Sequence, residues 1–101
     1  MMPGYRVVLA PSVIDSMAGI TSRDDARRVR RRLEALKTAP YMGAVYDPVY
    51  ETARPPHQVR ATYAGHFGVY YTVDDACSTV NVEYLEDTRR DPLARFDSRG
   101  V

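Results

Sequence analysis

From Val59 to Asp91 the chain reads VRATYAGHFGVYYTVDDACSTVNVEYLEDTRRD, an alternation of apolar and polar residues interrupted twice by turn-forming residues. Side chains of a strand point alternately to its two faces, so a period of two predicts half-buried β-structure. Val59, Ala61 and Tyr63 alternate with Arg60 and Thr62, and Ala64-Gly65 breaks the pattern. Phe67, Val69, Tyr71 and Val73 then alternate with Gly68, Tyr70 and Thr72. Asp74 to Ser78 forms a second turn, rich in residues that bond their own backbone, and Val80, Val82 and Tyr84 resume the period. The expectation is a three-stranded antiparallel meander ending beside Arg89 and Arg90, where a strand end delivers positive charge to one edge of the sheet. Anions are the natural partners of such an edge.

The first half reads differently. Tyr5, Val7 and Leu9 alternate with Arg6 and Val8, giving a first strand that stops at Ala10-Pro11. Proline is tolerated in a first helical turn, and Val13, Ile14, Met17 and Ala18 follow at helical spacing up to Gly19. Ser22 with Asp25 three residues on resembles a capping box, and Asp24 and Asp25 suit the positive start of a helix. That second helix is expected to run to about Thr38. Ala26, Val29, Leu33 and Leu36 form its apolar stripe, with Arg27, Arg28, Arg30, Arg31 and Arg32 largely off it. Pro40 ends it. Tyr41 to Pro56 is a long connection holding either Ala44–Tyr46 or Val49–Glu51 as a short strand. The fold class expected is therefore α+β and two-layered: an N-terminal strand, a helical hairpin, then a three- or four-stranded antiparallel meander.

With 101 residues the chain is expected to form one domain, residues 1–101, with one modest core. A hydrophobic content of 45% argues against disorder despite 27% charged residues. Net charge is only +1, but thirteen of the fourteen basic residues are arginine, the side chain suited to bidentate phosphate contact. A skewed genomic base composition would produce the same excess. The single cysteine, Cys77, sits in a turn and cannot form an internal disulfide. No window approaches the roughly 20 apolar residues of a membrane span, and no signal peptide is evident. The expected setting is the cytoplasm, without contact to a membrane. No metal-ligand spacing, glycine-rich phosphate loop or nucleophile elbow occurs, so no metal and no cofactor is expected.

The opening YRVVLAPSVID, the helix DDARRVRRRLEALKTAP, the hairpin VRATYAGHFGVYYTV and the ending VNVEYLEDTRRD, in this order and at this length, resemble the RelE/ParE superfamily of toxins from type II toxin-antitoxin systems. The resemblance covers nearly the whole chain. It implies a cognate antitoxin as partner and, for the RelE type, ribosome-dependent cleavage of messenger RNA. For the ParE type it implies non-catalytic inhibition of DNA gyrase. A third alternative is a silent member that only binds an antitoxin. A homodimer or a toxin-antitoxin hetero-oligomer is compatible with each.

Two positions depart from the RelE pattern. The hairpin arginine expected at position 68 is Gly68, and no tyrosine follows Tyr84, where the pattern uses one in proton transfer. Cleavage by 2'-hydroxyl attack needs a proton acceptor, a proton donor and cations. The catalytic candidates are Arg89 and Arg90, which match the family's arginine after the last strand, with His66 at the hairpin turn and Arg60. The RNA-binding candidates are Arg54, His57, Arg95 and Tyr70. Each has a plain alternative: Arg89 and Arg90 as a salt-bridged strand end with Asp87 or Asp91, the histidines as solvated turn residues. Arg54 and Arg95 could be solvated, and the tyrosines could be core pairs. Hairpin register decides which side Arg60 faces. The helix arginines read as a solvated exterior, a ribosomal RNA contact or a patch for an acidic antitoxin segment.

Overall fold

A computed structural model describes residues 4–48 and 55–90, in the order β1 (Arg6–Leu9), α1 (Pro11–Ala18), α2 (Arg23–Ala35), β2 (Ala44–Val45), β3 (Arg60–Ala64), β4 (Phe67–Asp74) and β5 (Thr79–Asp87). Of the expectations above, Arg54, Arg95, Asp91 and the alternative strand Val49–Glu51 lie outside the described residues. The five strands form one sheet in the order β1-β5-β4-β3-β2. β2 to β5 are successive antiparallel neighbours, the four-stranded version of the expected meander. β1 lies parallel to β5, with Val7 opposite Val80 and Leu9 opposite Val82. The helical hairpin carries the chain from β1 at one edge of the sheet to β2 at the other, and the meander then returns to place β5 beside β1.

Both helices begin where the sequence places them. Ala10 caps α1 in extended conformation without a side-chain bond, and Pro11 contributes its fixed φ to the first turn. At α2, the Ser22 hydroxyl accepts the Asp25 backbone N–H at 3.2 Å, which satisfies one of the four unpaired donors of a helix start. α2 ends at Ala35 rather than Thr38. Its last turn tightens into bonds from Lys37 to Glu34 and from Thr38 to Ala35, because the residue before Pro40 is disfavoured in helical conformation. α1 differs from its expected stripe: Val13 is buried and Met17 half-buried, but Ile14 is 54% exposed. An eight-residue helix packed on β5 buries only a narrow strip of its surface.

The main core joins the helices to one face of the sheet. Val13, Val29, Leu33 and Leu36 pack on Ala64, Val69, Tyr71, Val80, Val82 and Leu85. The opposite face carries a second, smaller core of Val59, Ala61 and Tyr70, with Tyr46 and Tyr84 packed against it. A β-bulge separates these sets on β5. Tyr70 pairs with Tyr84 but Tyr71 pairs with Val82, leaving Glu83 as an extra residue. The simple period Val80, Val82, Tyr84 therefore fails at its last member. Leu85, not Tyr84, returns to the helix side, and Glu83 and Tyr84 both reach the face that the helices leave open. At the β3–β4 turn, Gly65 adopts φ 62°, a conformation that suits glycine.

Candidate functional site

The open face of β3, β4 and β5 holds the first group of candidate residues. On it, the His57 Nε2 lies 2.6 Å from Glu83 Oε1, and the Thr72 hydroxyl donates to Glu83 Oε2 at 2.9 Å. The side chain of Glu83 is 25% exposed and that of His57 51%, so the carboxylate sits inward and the imidazole outward. Tyr84 shares this face, and its phenol pKa is raised by burial first and by Glu83 and Glu86 next. It therefore stays protonated at neutral pH, a donor rather than a base. β4 and β5 contain no lysine or arginine, so these two strands add no positive charge to this face.

The position of the missing hairpin arginine has a steric account. Gly68 lies beneath the ring of Tyr70, and a Cβ there would stand 2.5 Å from the Tyr70 Oη and 2.7 Å from its Cε2. Any side chain at position 68 would compete for space with that ring. Tyr70 is fully buried, edge-on to Tyr46 at 5.0 Å and to Tyr63 at 6.4 Å between centroids. As a base-stacking candidate it is corrected: a ring with no exposed surface belongs to the core. Tyr71 is buried likewise on the other face, Tyr84 is half-buried, and Tyr63 alone of the four strand tyrosines is well exposed, at 46%.

Arg60 faces the helix side, opposite Tyr71 in register. Its guanidinium donates to the Gly43 carbonyl at 2.7 Å and lies 4.8 Å from the centre of the Tyr41 ring, a cation-π contact. Tyr41 and Tyr5 both donate to the Asp75 carboxylate, which these hydrogen bonds hold below its ordinary pKa, while they raise those of the two phenols. Gly43 N–H in turn donates to the Tyr71 hydroxyl at 2.9 Å. Arg60 thus ties the β2 approach to the sheet end.

His66, Arg89 and Arg90 gather at the opposite end of β3, by the helix hairpin. Arg89 grips Asp87 through Nε at 2.9 Å and Nη2 at 2.6 Å, and its backbone N–H donates to the same carboxylate. The Arg89 side chain holds Asp87 well below the usual carboxylate range, and Asp87 raises the guanidinium. The end of β5 is therefore salt-bridged. His66 Nε2 lies 3.3 Å from Asp25 Oδ2, within ion-pair distance but not aligned as a hydrogen bond. Its carbonyl accepts from both the backbone and the hydroxyl of Thr88. A cleft of 340 Å³ lined by Ser16, Ser22, Asp25, Leu85, Arg89 and Arg90 opens beside them.

The structure therefore joins His66 to Arg89 and Arg90, and it separates all three from His57 on the open face and from Arg60 on the far end of β3. Sequence reasoning missed Glu83 and Asp25 as partners of the histidines. Asp87, two residues before Arg89, was visible locally and is named above as an alternative partner. Among the described residues no group of three or more His, Cys, Asp or Glu is placed to hold a metal ion. None of the described helices is long and apolar enough to cross a membrane.

No protein-family model matches the sequence, and no curated protein matches it either. Among solved structures, the chain is similar to one in the crystal structure of the archaeal RelE-RelB complex from Pyrococcus horikoshii OT3. The TM-score is 0.65 at 16% identity, covering 87% of this chain and 99% of that chain. The strand, helical hairpin and antiparallel strands of this protein thus form a RelE-like fold.

Proposed function

We propose that this protein is the toxin of a type II toxin-antitoxin pair, a single domain held inactive by a cognate antitoxin in a hetero-oligomer. In the cytoplasm it stops translation by cleaving messenger RNA on the ribosome, with a residue set of its own. The observation that carries this reading is the RelE-like fold, matched over 87% of the chain to a protein solved together with RelB. The open sheet face supports it, because a histidine held by a carboxylate supplies the proton-transfer chemistry that RNA cleavage needs.

A gyrase-directed, non-catalytic role is the second reading, and one observation favours it. β4 and β5 present no cation, Tyr70 fills the space over Gly68, and Arg89 is already committed to Asp87. Induced expression in a bacterial host separates the two. Rapid loss of protein synthesis with cleaved messages is the expected outcome. Induction of a DNA-damage response with intact messages would establish the second reading instead, and unimpaired growth would leave only antitoxin binding.

A further inference from the structure

We propose that His57 is the proton-accepting group of the RNA cleavage reaction and that Glu83 is the residue that positions it; this rests on the RNA-cleaving reading above. Three features of the pair distinguish it from an ordinary surface ion pair. The carboxylate is fixed at both oxygens, by His57 at 2.6 Å and by the Thr72 hydroxyl at 2.9 Å. Glu83 is the extra residue of the β5 bulge, and bulges re-aim a side chain at a chosen point of a sheet. The exposure gradient runs from a shielded carboxylate to an accessible imidazole, beside a 390 Å³ groove lined by Tyr46, Asp47, His57 and Gln58.

The close contact sets the tautomer. A neutral imidazole has one N–H donor and one lone-pair acceptor, and an ionised carboxylate only accepts. Nε2 facing Glu83 must therefore carry the proton, which leaves the lone pair on Nδ1. In the reaction, Nδ1 takes the proton of an RNA 2'-hydroxyl as that oxygen bonds to the adjacent phosphorus. The bond from phosphorus to the 5'-oxygen breaks, giving a 2',3'-cyclic phosphate. The leaving oxygen takes a proton from water, and the imidazolium returns its own to the hydroxide so formed. Glu83 stabilises the imidazolium while it lasts and touches no reacting atom.

The test is single-turnover cleavage of a message on purified ribosomes, with the full-length protein and its variants, alongside long-range proton-nitrogen NMR of the His57 ring. His57→Gln and His57→Asn should each lower the rate by about 10²- to 10⁴-fold, the contribution of a general base. Glu83→Gln should lower it by up to about 100-fold, the cost of a misplaced group. It should also convert the ring from a single Nε2–H tautomer to a mixture, which a purely structural glutamate would not do. Thr72→Val should act in the same direction more weakly. Circular dichroism confirms that each variant is folded, and the two His57 substitutions guard against one that is not. Wild-type cleavage by both His57 variants would overturn the assignment while leaving the RNA-cleaving reading intact. An unchanged tautomer in Glu83→Gln would overturn the positioning role. A wild-type protein that leaves every message whole would overturn the parent reading and the catalytic assignment with it.

Discussion

Gly43 and Gly68 show how single residues of this chain are fixed by what lies above them. A Cβ on Gly43 would stand 2.5 Å from the Ala61 carbonyl oxygen and 2.8 Å from the Tyr71 hydroxyl, so β2 can approach β3 this closely only through glycine. Gly43→Ala should destabilise the protein by about 1–3 kcal/mol, the usual cost of overpacking, as measured by urea denaturation. Stability within about 0.5 kcal/mol of wild type would show that the contact is not made. Gly68→Ala should cost a similar amount for a different reason, because its obstacle is a side chain. In a Tyr70→Ala background the Gly68→Ala penalty should largely vanish, and a double-mutant cycle reads the difference. Additivity would mean that the ring does not cover the glycine.

At the scale of elements, the end of β5 is locked by charge and the turn before it by hydrogen bonds. Asp87 is depressed in the folded protein by Arg89, so the pair contributes stability above the unfolded carboxylate pKa and loses it as pH falls through the folded value. The stability difference between wild type and Asp87→Asn should therefore be flat from pH 7 to roughly 4 and shrink below that. Its size at pH 7 should stay at or under about 1 kcal/mol, because Arg89 is largely exposed and solvent screens the pair. Thermal melts across pH 2–7 check both points, and a difference that grows in acid would contradict the assignment. The arginines of α2 stay on the surface: Arg27 and Arg28 pair with Asp24 and Asp25 one turn earlier. Their charge is partly neutralised along the helix itself.

For the whole molecule, strand order sets the gradient of protection. β5 and β4 lie in the middle of the sheet, with Val69, Tyr71, Val80 and Val82 at the centre of the main core, while β2 is a two-residue edge. Native-state amide exchange should be slowest at these four residues and fast at Ala44 and Val45. Fast exchange in β5 would contradict the β1–β5 parallel pairing that encloses it. That pairing joins the first strand to the last, and it makes the N-terminal half an integral part of the sheet.

The periodicities alone determined the kinds of element and their order. Alternation at Tyr5–Leu9 and Val59–Tyr84, helical spacing at Val29, Leu33 and Leu36, the Ser22 cap and the Pro40 stop are local signals, and each appears in the structure near its expected place. They are legible because backbone geometry and neighbouring side chains are short-range causes. The arrangement of the candidate site was not legible. Whether Arg60 faces RNA or Tyr41, whether Tyr70 stacks on a base or on Gly68, and whether His57 has a carboxylate all depend on strand register and on one bulge at Glu83. A shift of one residue exchanges the two faces of a strand. Residues 26 positions apart, such as His57 and Glu83, meet only after the sheet has closed. The chain's sequence specified a RelE-like set of strands and helices; the tertiary structure decided which of its charges are spent on holding them together and which face outward.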